Sequence, residues 1–562
     1  MAQETPDDEE ESPLSHALET TVSKTWAQAC GDDNILFGFQ GHAVNLAAFH
    51  PEPVNIFRLW QIYLDNVNPL LKVTHTPSLQ VRIIEAAGNM TNIGPALEAL
   101  MFSIYCVSII SIDEEECRAM FGVPRDDLLA KYRFGCQQAL ANAEFLRSAD
   151  RDCLTALHLY LLSLHSSSDP RSLCSMSGMV IRIAQCMGIH RESSLARCTP
   201  FEAEMRRRLW WSLVLYDARR GEMADYKDSS LAPTWDCRVP LNVNDSDLRP
   251  EMKELPTNKT QPTDSFFAVL RSKLADFVRH TPAHLEFTNP ALKPVAREVP
   301  EGGAVAALER RIESEDLAGC DEENPVHFMA MWHARWYLAR CHLLEHYASA
   351  SGRSGQPTDA QLDKMLSLAM RMVLCDTKMM TAPHARGYRW FLRSHFPFPA
   401  FIHIVHDLRR RPRSGLAGRA WEVMSDNYDV RFPFTGSHLT PIFKLFSRLV
   451  LSAWEAYEAV VEPGEEVVTP RIVQRVRERT AEVLGEEGVA GEKGGGAGKA
   501  EVNASAGAAP VGFGEDSFMY GLGPQDEHAG ANAMGYTNVP GPDPFQFMSN
   551  QFNWPPMDWG PG

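Results

Sequence analysis

Residues 199–217 read Thr199-Pro200-Phe201-Glu202-Ala203-Glu204-Met205-Arg206-Arg207-Arg208-Leu209-Trp210-Trp211-Ser212-Leu213-Val214-Leu215-Tyr216-Asp217. A threonine hydroxyl followed by proline is a helix start: the hydroxyl caps a free backbone N–H, and proline at the first helical position gives up an N–H that has no partner anyway. Glu202 with Arg206, and Glu204 with Arg208, are i,i+4 pairs in the favourable order. Leu209, Trp210, Leu213, Val214 and Asp217 share one face, so Asp217 is expected to approach the core and to need a cation there. Arg182 or Arg206 is the expected partner. Upstream, a helix around Met176–Gln185 is expected to end in Gly188-Ile189-His190-Arg191-Glu192, with Gly188 as a left-handed cap. Downstream, Val239-Pro240-Leu241-Asn242-Val243-Asn244-Asp245 reads as an extended segment closed by Asx-type turns.

Working outward, the helical pattern starts near Val54, where Ile56, Leu59, Trp60, Tyr63, Leu64 and Val67 recur at three- and four-residue spacing. Further helices are predicted over 95–112, 125–147, 151–166, 171–188, 200–220, 264–280, 326–349, 360–382, 386–410 and 438–461. Breakers such as Asn68-Pro69, Gly122-Val123-Pro124 and Ser168-Asp169-Pro170 separate some of them. No alternating strand series or hairpin turn interrupts the pattern, so the fold class is all-α. The stretches 227–262 and 282–303 read as long surface connections. Alanine 99 to Ile112 is the longest uncharged apolar run, and its fourteen residues suit a buried helix rather than a bilayer span.

Charge is concentrated at the two ends of the 562 residues. Residues 1–49 hold nine acids and one base, and residues 485–562 ten acids and two bases, while 50–484 is near neutral at −2. A polyanion is repelled by such ends, so these residues lack the footprint of an autonomous nucleic-acid binder. The acidic start, Glu4 and Asp7 to Glu11, is unlike a basic-then-apolar targeting peptide and predicts an intracellular protein. The last segment has 17 glycines in 78 residues and, from Ala500, seven acids and no Lys or Arg. Interspersed aromatics include Phe513, Phe518, Tyr520, Phe545, Phe547, Phe552, Trp554 and Trp559. That composition predicts disorder and fits an activation domain, whose acids keep aromatic groups in water until a coactivator groove takes them. A merely solubilising tail is the alternative.

Motifs for chemistry are few. No two of the twelve cysteines have Cys-x2-Cys spacing, so they read as reduced core thiols, with no zinc or other cofactor in these residues. His342-x-x-Glu345-His346 has the form of an inverted zinc peptidase motif, yet no third ligand is evident and it closes an amphipathic helix. His403 and His406 lie one turn apart, which does not complete a metal site. No enzyme is expected. Arg409-Arg410-Arg411-Pro412-Arg413 reads either as a nuclear import signal or as cations at a helix end.

The Gly188/His190/Arg191/Glu192 helix end, the Glu204-Met205-Arg206-Arg207-Arg208-Leu209-Trp210-Trp211 helix and the Val239-Pro240-Leu241-Asn242 turn, in that order, resemble the regulatory middle region of fungal-specific transcription factors. The likeness spans about 50–460 and is sharpest over 171–250. It implies a nuclear regulator of RNA polymerase II transcription, with Arg182, Gly188, His190, Glu204, Arg206 to Arg208, Trp210, Trp211, Asp217, Pro240, Asn242 and Asp245 as its structural motif. The expected organisation is an acidic, disordered 1–49, a helical regulatory domain over 50–484, and an activation tail over 485–562. A metabolic gene cluster is the expected target. One departure stands out. The family's zinc-cluster DNA reader needs six cysteines ahead of this region, and the first 105 residues hold only Cys30. DNA contact is therefore expected only indirectly, through a zinc module outside these residues or a zinc-cluster partner. Homodimerisation, a coactivator contact through the tail and no membrane contact complete the expectation. A co-regulator that never touches DNA, a small-molecule-sensing scaffold without transcriptional output, and the peptidase are the rivals.

Overall fold

The computed structural model describes residues 45–164, 170–224, 234–281, 305–351, 357–432, 441–462, 465 and 467–480. Among the described residues there is no strand, and no helix is long and apolar enough to cross a membrane. Helix α1 (Pro53–Ile62) runs through a π turn at Tyr63–Val67 into the short α2 (Asn68–Leu71). Then come α3 (Thr76–Gly88), α4 (Pro95–Ser111), α5 (Glu114–Phe121), α6 (Arg125–Asn142), α7 (Arg151–Ser163), α8 (Pro170–Cys186), α9 (Glu192–Leu195) and α10 (Pro200–Ala224). Helices α11 (Phe266–Arg279), α12 (Val305–Arg311), α13 (Pro325–Ser351), α14 (Asp359–Thr381), α15 (Arg389–Arg393), α16 (Phe398–Arg410), α17 (Ala417–Arg431) and α18 (Pro441–Glu458) follow. A further helical stretch covers 471–480.

These residues fall into two compact units. One runs to Arg353 and takes in Cys375–Pro397; the other comprises Ser354–Leu374 and the chain from Phe398 onward. In the first unit α4 is the central helix, buried from Ala99 to Ser111 and packed on α6 and α7. An apolar run with no polar face needs neighbours all round, which is why Ala99–Ile112 is a core helix. Helix α8 packs along α10, and α11 along α13. In the second unit α16 lies against α18, where Phe446 meets Phe398 and Phe401 at ring distances of 5.7 and 4.5 Å.

Most predicted helices form, with instructive exceptions. The helix expected over 386–410 is broken into a 3-10 turn (Pro383–Tyr388), α15 and α16. Pro397 has no N–H to donate and Pro399 follows, so the chain cannot run through as one helix. Helices α3, α5, α12 and α17 were not anticipated. Asp113 and Glu116 form a capping box that starts α5, a signal present in the sequence. The stretch 227–262 is irregular over its described part, yet it is no surface connection: Trp235, Cys237, Asn242, Val243, Asp245 and Leu248 are all buried.

Candidate functional site

The predicted helix junction forms as read. Gly188 has φ of +70°, and the Ile189 N–H reaches the Ala184 carbonyl while that of Gly188 reaches Gln185, a Schellman closure. A Cβ on Gly188 would meet Ser194 Oγ at 2.9 Å, so glycine is required twice over. The Thr199 hydroxyl accepts from the Glu202 N–H at 3.3 Å and caps α10. The turn leaves Glu192 beside α10, where Arg207 donates to it through Nε (2.8 Å) and Nη2 (2.6 Å). Arg238 adds its backbone N–H at 2.9 Å and its Nη2 at 2.8 Å. One carboxylate thereby fastens the long helix to the segment after Trp235.

The next residue, Arg208, donates through Nη1 to Asp245 Oδ1 at 2.7 Å, with both side chains buried. Asp245 Oδ2 accepts from Lys72 Nζ and from the Thr76 N–H, each at 3.3 Å. The Asp245 carbonyl lies 2.9 Å from His75 Nε2, and its N–H donates to Asp264 at 3.2 Å. Lys72 also pairs with Asp264 at 2.9 Å, and reaches both acids from a left-handed backbone, φ 52°. Four separate stretches, 72–76, 204–208, 242–245 and 263–265, therefore meet around Asp245. Burial alone would push Asp245 up, but the Arg208 and Lys72 charges hold it down at about 2. Burial likewise works on Glu192, and the hydrogen bonds from Arg207 and Arg238 bring it to about 2. Glu204 is fully buried, accepts the Leu241 N–H at 2.9 Å and lies 3.5 Å from Arg208 Nε. Burial dominates there and raises its pKa.

Asn242 ties the last stretch in. Its Nδ2 donates to the carbonyls of Lys259 and Gln261, both at 2.8 Å, and its Oδ1 accepts from Thr263. Pro240 is buried beside it. Trp235 stands edge-on to both Trp210 (5.3 Å) and Trp211 (5.2 Å), and Trp211 Nε1 donates to the Arg238 carbonyl at 2.8 Å. His190 packs against Trp210.

Three expected motif residues stay outside this centre. Asp217 is half-buried and makes no ion pair among the described residues, so neither Arg182 nor Arg206 is its partner. Arg206 lies eleven residues up the same helix, about 16 Å away along its axis, and pairs with Glu202 at 2.8 Å as the spacing predicts. Arg182 is exposed. The acid that needed a cation was Asp245. Lys72 and Asp264 were not singled out in the sequence; nothing in their local sequence marks them, because their partners are up to 173 residues away.

The peptidase motif has a structural task instead. His342 Nε2 is 2.9 Å from Glu309 and Nδ1 is 3.5 Å from Glu345, while Glu345 accepts the Val305 N–H. The triad ties α12 to α13. No three metal-ligating side chains converge among the described residues. In the basic run, Arg411 is held by Asp407 (2.7 Å) and Asp363 (2.8 Å), and Arg413 by Glu465 (2.6 Å), while Arg409 and Arg410 are exposed in the last turn of α16. The eight tail aromatics lie outside the described residues.

The two depressed carboxylates set a pH response. A folded pKa below the unfolded value adds stability that is complete above about pH 5 and drains away as the pH falls toward about 2. Glu204, with its raised pKa, works in the opposite sense and blunts the effect. The urea midpoint is expected to fall between about pH 5 and pH 3, and Glu192→Gln to flatten that slope while lowering the midpoint at neutral pH. A midpoint that does not move across that window in the wild type contradicts the assignment.

The arrangement ties α3 and α10 to the buried segment that follows Trp235. The sequence profile of the fungal specific transcription factor domain matches residues 60–280, which contain every residue of the centre. The transcriptional regulator AacuB of Aspergillus aculeatus is 47% identical over 572 residues, covering 98% of this chain and 77% of that protein. The transcriptional regulator nsrM of Aspergillus novofumigatus is 45% identical over 491 residues, covering 85% and 67%. The aurofusarin cluster transcription factor aurR2 of Gibberella zeae is 32% identical over 427 residues, covering 75% and 63%. With likeness of that extent, this chain belongs to the fungal-specific transcription factor family, and is by that family a regulator of transcription and not an enzyme.

Proposed function

We propose that this regulator acts in the nucleus on RNA polymerase II transcription of a metabolic gene cluster. The observation that carries the reading is 47% identity to a transcriptional regulator across 98% of the chain; the cluster target is supported by likeness to the aurofusarin cluster transcription factor of Gibberella zeae. The helical part, 50–484, serves as the regulatory domain, and 485–562 as the activating segment that docks on a coactivator. Residues 1–562 have no Cys-x2-Cys pair and a formal net charge of −18, which supports DNA being read by a zinc module outside them or by a zinc-cluster partner, a homodimer carrying such a module included. The exposed Arg409 and Arg410 support nuclear import less than the sequence alone does, since Arg411 and Arg413 are occupied by acids.

Deleting the gene and measuring all transcripts tests the reading. A contiguous block of biosynthetic genes is expected to change together. If no such block responds under conditions where the protein is present, the cluster assignment fails.

A further inference from the structure

A cleft of about 230 Å³ opens in the first unit where three pieces of chain meet: the π turn at Tyr63–Val67, the junction of α4 with α5, and the 3-10 turn at Pro383–Tyr388. A π turn bonds over one residue more than an α turn, and such bulges recur at functional sites. Here it supplies Asp65 and Asn66 to the lining. The 3-10 turn is pressed against it. A Cβ on Gly387 would overlap Asn66 Oδ1, and Trp390 Nε1 donates to the Asn66 carbonyl at 2.9 Å. Asn66 Nδ2 in turn donates to Ser111 Oγ at 3.1 Å, which ties the π turn to the end of α4. Ile62, Ile112 and Met120 give the cleft its apolar surface.

The charged groups of the lining are Asp65, Glu116 and Arg386. Arg386 is already spent on acids, pairing with Asp113 and, at 3.4 Å, with Glu116. Asp65 makes no ion pair among the described residues; Gln61 Nε2 donates to its Oδ1 at 2.9 Å, and Oδ2 is left open. With Asp113 included, three carboxylates stand against one guanidinium, and the apolar walls of a cleft focus a surplus of that sign onto cations. No three His, Cys, Asp or Glu side chains converge to hold a metal ion among the described residues, so the cation that fits is an organic one. We propose that this cleft binds a small organic amine, with its ammonium on Asp65 and its carbon body against Ile62, Ile112 and Met120. The volume lies below the about 300–1,000 Å³ of clefts for larger ligands, which limits the amine to a small one. Occupancy would brace the 3-10 turn against α5, beside the pair between Arg386 and Asp113, two residues 273 positions apart. The site is independent of which genes the protein controls, because binding is read on the protein alone.

Titrating the full chain at low salt with phenethylamine, its neutral counterpart 2-phenylethanol and the acid phenylacetate, by calorimetry, tests this. Phenethylamine is expected to saturate with a Kd of about 0.1–1 mM. The alcohol is expected to bind at least about tenfold more weakly, and the acid more weakly still. Asp65→Asn keeps an oxygen for Gln61 at an exposed position, so it is expected to unfold at the wild-type temperature and to bind the amine no better than the alcohol. An amine that does not saturate by about 10 mM, an alcohol that binds as tightly as the amine, or an amine affinity unchanged in Asp65→Asn each overturns the proposal. The comparison of amine with alcohol uses wild-type protein and decides by itself if the variant does not fold.

Discussion

Asp245→Ala is expected to destabilise the protein by about 3–5 kcal/mol, the range found when one partner of a buried ion pair is removed. The structural reason is specific. Arg208 Nη1 and Lys72 Nζ each lose their acceptor on Asp245, and the Thr76 N–H is orphaned at the start of α3. Arg208 already has an unpartnered Nη2, so the variant leaves its guanidinium with Glu204, 3.5 Å from Nε, as its remaining ion pair. A control with similar chemistry at the surface, Arg419→Ala, breaks an exposed pair with Glu422 at 2.9 Å. That loss is expected to stay within about 0.5 kcal/mol. Urea unfolding of the two variants beside the wild type reads the difference, and equal midpoints for Asp245→Ala and Arg419→Ala would remove the centre from the account.

The second large effect concerns the C-terminal segment. Residues 500–562 fused to an unrelated DNA-binding domain are expected to switch on a reporter. Alanine at Phe513, Phe518, Tyr520, Phe545, Phe547, Phe552, Trp554 and Trp559 is expected to silence it. Each aromatic anchor in a groove is worth about 1–2 kcal/mol, so loss of two or three already lowers coactivator affinity by more than about tenfold. The acids remain in that variant, which separates an aromatic readout from charge alone. Full output from the alanine variant would place activation in the acids and overturn the aromatic reading, and no output from the unaltered segment would mean that it only solubilises.

The all-α class and most helix starts are legible because they depend on neighbours in the sequence. Thr199-Pro200 opens α10, Gly188 closes the turn after α8, and the uncharged run at 99–112 is buried on every side. The ion centre is legible only by half. Arg207, Arg208, Asn242 and Asp245 stand in a dense motif, but spacing along one helix does not say which acid folds back onto it. Periodicity points to Asp217 by its place on the apolar face, whereas Asp245 arrives on an irregular segment that periodicity cannot rank. Lys72 is the clearest case of information absent from local pattern, since a lysine after Leu70-Leu71 gives no sign of a left-handed turn or of burial. The broken 386–410 helix is the opposite case, because Pro397 and Pro399 were in plain view.

The most direct test of the centre is a double-mutant cycle on Arg208 and Asp245, read as unfolding free energy in urea. If their buried contact holds the motif together, Arg208→Ala and Asp245→Ala are each strongly destabilising, and the double variant is about 2–3 kcal/mol less damaged than the sum of the two. Losses that add within about 0.5 kcal/mol would show the two residues acting independently, and would contradict the assignment of this pair as the link between α10 and the buried 242–245 segment.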